Sequence, residues 1–222
     1  MNFKNTIIKK NILNIDKIKK KYYYDVNILI FKIFERSDIM NLSLRDKVLI
    51  ALFAALTAIG AFISIPIPYV PFTMQFFFSS MSGIVLGSKK GALSQLFYVL
   101  IGLIGIPVFT KGGGPQYIFQ PTFGYLIGLI IAAFVIGKVA ELKNKNFENL
   151  LIGNFLGIFF IYLIGVIYFY LINKFYLGTN MNISLAIYNG FFLTLPGDIT
   201  KSIITALVGV RVVNTIKLNI LA

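Results

Sequence analysis

The chain has 222 residues, of which 57% are hydrophobic and 13% charged, and its mean hydropathy is +0.81. Soluble domains run at about 45–50% apolar and about 25% charged, so this composition points to a membrane protein. There is no cysteine and no histidine, which excludes disulfides, Cys/His metal sites and histidine acid–base catalysis.

A formal charge of +13 raises nucleic-acid binding, but the placement of the bases argues against it. Eleven of the 21 lie before residue 48, and most others sit in short gaps between apolar runs. Bases in such gaps set topology and touch anionic lipid. Residues 1–43, rich in Lys, Asn and Ile with a Tyr22-Tyr23-Tyr24 cluster, read as a basic cytoplasmic arm. Alternatively translation starts at Met40, and Ser43 with Asp46 makes a capping box for the first span. No cleavable signal peptide is evident: the apolar run Val26 to Phe34 is short and broken by Lys32.

Six apolar segments follow, at about 48–65, 72–88, 91–109, 117–137, 150–172 and 185–210. Each is near the ~20 residues that cross a bilayer core; the second is short, and either sits inside the bundle or thins the bilayer locally. The expectation is an all-α, polytopic membrane domain over 44–213 with six transmembrane helices. A cytoplasmic tail occupies 214–222. With the N-terminus inside, 18 of the 21 bases fall on cytoplasmic segments. Only Lys111 and Lys174 fall on outer loops, and Lys201 lies within the last span. That is a strong positive-inside pattern, with both termini cytoplasmic. Small residues recur four apart, as in Ala51/Ala55, Ala54/Ala58, Gly83/Gly87, Gly124/Gly128 and Gly153/Gly157. Such pairs pack helices within a chain or dock a partner subunit.

The chemistry concentrates in a few places. The third span carries Gln95 and Tyr98 on one face, and the fourth begins with Tyr117, Gln120, Pro121, Thr122 and Tyr125. These groups serve interhelical bonding or line an outer pocket. The connection Ile65 to Gln75, with three prolines in six residues, is stiff and extended. It is either a linker or a pocket wall. The loop Phe109-Thr110-Lys111-Gly112-Gly113-Gly114 reads as a flexible turn or as a cradle, with Lys111 available to an anion. It is not a P-loop. Asp198 and Lys201, three residues apart in the last span, share a helix face. Charges at membrane depth face a bundle interior or a cavity. The pair is either a self-neutralising packing device or a solute site, and Pro196-Gly197 just before it favours a loosened helix and a solute. A membrane enzyme using Asp198 and Lys201 as acid and base, and a purely structural bundle, are the competing readings.

Taken in order, several segments resemble the BioY family, the biotin-specific membrane subunits of energy-coupling factor transporters. They are Ile67-Pro68-Tyr69-Val70-Pro71-Phe72-Thr73-Met74-Gln75, Gly91 to Tyr98, Gly105 to Phe109, Gly112-Gly113-Gly114, Pro121 to Gly128, and Pro196-Gly197-Asp198 with Lys201. The resemblance covers 40–213. In place of the arginine that members can carry in the glycine-rich loop, this chain has Lys111. The resemblance implies a six-helix subunit of the cell membrane that captures biotin from outside. It also implies a transmembrane coupling protein and two cytoplasmic ATPases as partners, with Ala51 and Ala55 on the docking face of the first helix. The chain itself is then no enzyme and needs no cofactor. The same architecture serves other vitamins, such as riboflavin or thiamine. For biotin, the expectation is that Asp198 accepts from the ureido nitrogens and that Lys201 donates to the ureido oxygen or orients Asp198. Lys111 with Gly112, Gly113 and Gly114 meets the carboxylate. Phe72, Phe109, Tyr98 and Tyr125 cover the rings, with Gln75 and Gln95 as polar neighbours.

Overall fold

The computed structural model describes residues 42–66 and 70–221. The basic arm, the alternative start at Met40, and Ile67, Pro68 and Tyr69 of the proline-rich connection lie outside the described residues. Helix α1 spans Leu44–Phe62, followed by the short strands β1 (Ser64–Ile65) and β2 (Phe72–Thr73). Helices α2 (Gln75–Leu86) and α3 (Ser88–Ile104) come next, then a 3-10 turn at Pro115–Phe119, α4 (Phe123–Leu142) and α5 (Phe147–Leu171). A π-helical stretch, Ile172–Tyr176, extends α5. The short α6 (Ile183–Ile187) runs through a second π stretch, Tyr188–Phe192, to α7 (Leu195–Leu221).

The boundaries have local causes. Ser43 accepts from the Asp46 amide at 3.2 Å and starts α1, while the Asp46 carboxylate takes Lys90 Nζ at 2.7 Å. Asn146 and Asn182 cap α5 and α6 in the same way, accepting from Asn149 N at 3.0 Å and Leu185 N at 2.7 Å. One residue, Gly87 at φ +84°, reverses the chain between α2 and α3. Strands β1 and β2 pair antiparallel, Ser64 with Thr73 and Ile65 with Phe72, so the proline-rich connection is a hairpin.

Several span limits shift. The second segment is helical only over Gln75–Leu86, because Phe72 and Thr73 are committed to the hairpin. Its 12 residues make a helix of only about 18 Å. It packs against α1, α3, α4 and α7. The third segment leaves the helix at Gly105, φ +120°. The last is interrupted at Leu193 and Thr194 rather than at Pro196-Gly197. Pro196 occupies the first turn of α7, where its missing N–H costs nothing. Among the described residues three helical stretches are long and apolar enough to cross a membrane: Phe123–Leu142, Phe147–Tyr176 and Ile183–Ile216.

Close approach of α2, α3 and α4 depends on glycine. A β-carbon on Gly83 would lie 2.5 Å from the Ala133 carbonyl, and one on Gly91 2.8 Å from Gly83 Cα. Gly124, Gly128 and Gly157 likewise lie against α4–α5 neighbours, so these small-residue pairs pack within the chain. Ala51 and Ala55 differ: both are exposed on α1.

The chain reverses so that two sets of connections form. One contains the start of α1, Gly87, residues 143–146 and the end of α7. The other contains the hairpin, residues 105–122 and residues 172–182. Gly87→Ala is expected to lower the thermal unfolding midpoint of the purified protein. It combines a positive φ with a β-carbon 2.5 Å from Glu141 Oε1, a cost of about 1–3 kcal/mol. A midpoint equal to the wild type's would contradict this reading of the turn.

Candidate functional site

The break before α7 aims its first turn into the bundle. Asp198 and Lys201 lie one turn apart and meet at 2.5 Å, Oδ1 to Nζ. Lys201 is 5% exposed. Its Nζ also donates to the Thr73 carbonyl at 2.8 Å and lies 4.0 Å from the centre of the Phe72 ring. That ring rests directly on Gly197, where any β-carbon would collide with it. The other carboxylate oxygen, Oδ2, accepts from the Tyr162 hydroxyl of α5. Tyr162 in turn shares a hydrogen bond with Thr194 at 2.8 Å.

Two further networks hold this arrangement. On the hairpin side, Thr73 Oγ1 donates to Gln75 Oε1 (2.9 Å), Gln75 Nε2 to the Tyr98 hydroxyl (2.7 Å), and Tyr98 to the Val108 carbonyl (3.1 Å). On the deeper side, Ser202 donates to the Asp198 carbonyl at 2.8 Å, and Asn154 Nδ2 to the Ser202 carbonyl at 2.9 Å. Ser80 completes that chain by donating to Asn154 Oδ1 at 2.5 Å. Helices α2, α5 and α7 are thereby tied at a level next to the ion pair. Tyr125 donates to the Gly190 carbonyl at 2.8 Å, fixing α4 against the stretch that leads into α7.

These residues surround a cavity with about 690 Å³ of empty space, counted out to its mouth. Its polar wall is Asp198, Lys201, Tyr162, Thr194, Thr73 and Gln75; Phe72, Phe76, Leu126, Leu129 and Ile161 supply apolar surface. Thr110, Tyr117, Thr122 and Tyr125 line it as well. The cavity is therefore amphipathic, with one charge pair at a fixed position.

Of the residues singled out in the sequence, Asp198, Lys201, Phe72, Gln75 and Tyr125 line this cavity. Tyr98 stands one hydrogen bond behind it. Phe109 is 1% exposed and packs edge-on to Tyr98, centroids 5.5 Å apart, in a slot made by Gly102. It packs behind the cavity and does not line it. Gln95 is fully buried further along α3, donating to Ser94 at 3.1 Å and Ser82 at 3.3 Å, and does not reach the cavity. Lys111 is exposed, and Gly112, Gly113 and Gly114 are also off the cavity wall. The reason is backbone pairing. Phe109 and Gly112 exchange two bonds, at 2.9 and 3.1 Å, and Gly114 N donates to the Gly102 carbonyl at 2.7 Å. Those N–H groups are spent on the turn itself, and only Thr110 of this loop faces the cavity.

Sequence reasoning missed Tyr162 and Thr194. Tyr162 reads as one more aromatic in a Phe- and Tyr-rich span. The usable signal was its spacing of eight from Asn154, which puts two polar groups on one face of an otherwise apolar helix.

A sequence model of the BioY family matches residues 35–218. A Lysinibacillus sphaericus protein named "Probable biotin transporter BioY" is 42% identical over 76% of this chain and 87% of its own length. The Thermotoga maritima "Biotin transporter BioY" is 41% identical over 76% of this chain and 95% of its own. A solved structure, "Crystal structure at 2.1 A of the S-component for biotin from an ECF-type ABC transporter", superposes with a TM-score of 0.68 at 28% identity. It covers 77% of this chain and 91% of the solved one. On the extent of these matches, the chain belongs to the BioY family.

Proposed function

We propose that this chain is the biotin-binding membrane subunit of an energy-coupling factor transporter, and that Asp198 and Lys201 read the ureido group. The observation that carries this is the count of unspent hydrogen-bonding groups at the pair. A carboxylate offers about four acceptor sites; Lys201 and Tyr162 use two. An ammonium has three donors; Asp198 and the Thr73 carbonyl use two. Two acceptors and one donor remain, which is the complement of a ureido group with two N–H donors and one carbonyl. Tyr162 and Thr73 hold the pair open to a guest by fixing each partner from behind. Tyr125 and Phe72 then flank the bicyclic rings. The names and titles of the similar proteins support biotin over other vitamins.

The chain crosses the cell membrane six times with both termini cytoplasmic. Support comes from the bases: seven of those after residue 47, excluding Lys201, fall near Gly87, near residues 143–146 and on α7 from Arg211 onward. The opposite set of connections carries only Lys111 and Lys174. The cavity then opens outward, between the hairpin and the 105–122 segment. A coupling protein and two ATPases supply the energy, since the chain has no P-loop. The exposed Ala51/Ala55 face of α1 is the docking face for the coupling protein.

Two outcomes follow. Asp198→Asn strands the Lys201 charge and weakens biotin binding to the purified chain by at least ~10-fold. Tyr162→Phe, which removes one donor and keeps the ring, costs about 3- to 10-fold. Wild-type dissociation constants for both variants in a labelled-biotin assay would remove the pair from the site. Separately, replacing Ala51 and Ala55 together by Leu leaves biotin affinity within about twofold, because neither touches the cavity. It abolishes co-purification with the coupling protein; an intact complex would move the docking face elsewhere.

A further inference from the structure

Thr122 stands at the head of α4, a 20-residue helix, with helical backbone (φ −83°, ψ −7°) rather than the extended backbone of a capping threonine. Its side chain makes no capping bond there. It is 8% exposed and lines the cavity, and its hydroxyl has no hydrogen-bond partner. Among the described residues only one other buried side-chain atom is in that condition, Gln95 Oε1, which is off the cavity wall. A buried hydroxyl without a protein partner is costly, so one that faces a cavity invites a ligand group.

The setting says what kind of group. The positive end of the α4 dipole lies at Thr122, which favours an anion. The Phe123 and Tyr125 amides are committed to the Gln120 carbonyl (3.0 Å) and the Thr122 carbonyl (3.1 Å), which leaves the hydroxyl as a free directional donor. Thr110 and Tyr117 on the same cavity are bonded to each other at 3.2 Å. Thr122 precedes Tyr125 by three residues, about 4.5 Å along the helix axis toward the loops. Tyr125 packs edge-on against Tyr162, ring centroids 6.4 Å apart, and Tyr162 in turn bonds Asp198. Thr122 lines the same cavity as Asp198 and Lys201, so a ligand held at one end by the pair has Thr122 within the space left for its far end. We infer that the Thr122 hydroxyl, in the field of the α4 N-terminus, receives the carboxylate of the bound ligand. This assigns to Thr122 the role that the sequence suggested for the exposed Lys111, and it rests on the biotin reading above.

The test compares biotin with biotinamide, its neutral amide, on the purified full chain. Thr122→Val is expected to weaken biotin about 10-fold and biotinamide only about 2- to 3-fold, because the amide oxygen still accepts from the hydroxyl but carries no charge, with Thr122→Ser close to wild type for both. Asp198→Asn weakens both ligands alike, since it acts at the ureido end. Equal loss of biotin and biotinamide in Thr122→Val would overturn the carboxylate assignment. Unchanged binding of both would remove Thr122 from the site. If the valine variant does not fold, Thr122→Ala, which fits wherever threonine does, is read by the same outcomes. Failure of the wild type to bind biotin would instead sink the functional reading, before Thr122 is at issue.

Discussion

Two opposite charges inside a helix bundle set the terms for everything around them. Desolvating a carboxylate and an ammonium costs several kcal/mol each, and their mutual attraction offsets this only when the remaining polar atoms are also bonded. Asp198 and Lys201 meet that condition in part, with partners from two other parts of the chain, and the groups still unspent are those a guest would take. Thr73 comes from the hairpin, Tyr162 from α5, and Phe72 offers its ring face. The hairpin, the kinked entry to α7 and the placement of α5 against α7 are thus all constrained by one ion pair.

The same constraint explains why polar residues recur in a chain that is otherwise so apolar. Ser80, Asn154 and Ser202 are each fully buried, yet they form one connected chain across α2, α5 and α7. In lipid, apolar surfaces give little preference for one helix register over another, whereas a buried amide has few satisfactory positions. This chain fixes how far α7 slides along α2 and α5, and so the height of the charge pair. The glycine contacts of α2, α3 and α4 act with it, by allowing the approach that such short hydrogen bonds need.

Much of this was legible in the sequence, for physical reasons. Apolar runs and base placement marked the helical segments. A charge pair three residues apart in an apolar span had to face inward, whatever the fold. Phe72, Gln75 and Tyr125 followed from their place at the mouth of spans. What was not legible was direction. Glycines in 112–114 advertise freedom, but not whether their amides are spent on backbone bonds, as those of Gly112 and Gly114 are here. Phe109 could not be told apart from a lining ring without knowing that Gly102 makes a slot for it. Tyr162 was hidden because an aromatic in an apolar span is usually packing, and only its partner on another helix gives it a role.

The most direct test is equilibrium binding of labelled biotin to the purified wild-type chain, in competition with unlabelled biotin and with biotin methylated on its ureido nitrogens. The account predicts saturable binding of one biotin per chain. Methylation replaces an N–H aimed at Asp198, so the methylated ligand should compete at least ~10-fold more weakly. Equal competition by the two ligands would mean that the ion pair does not read the ureido group, and the account would fail.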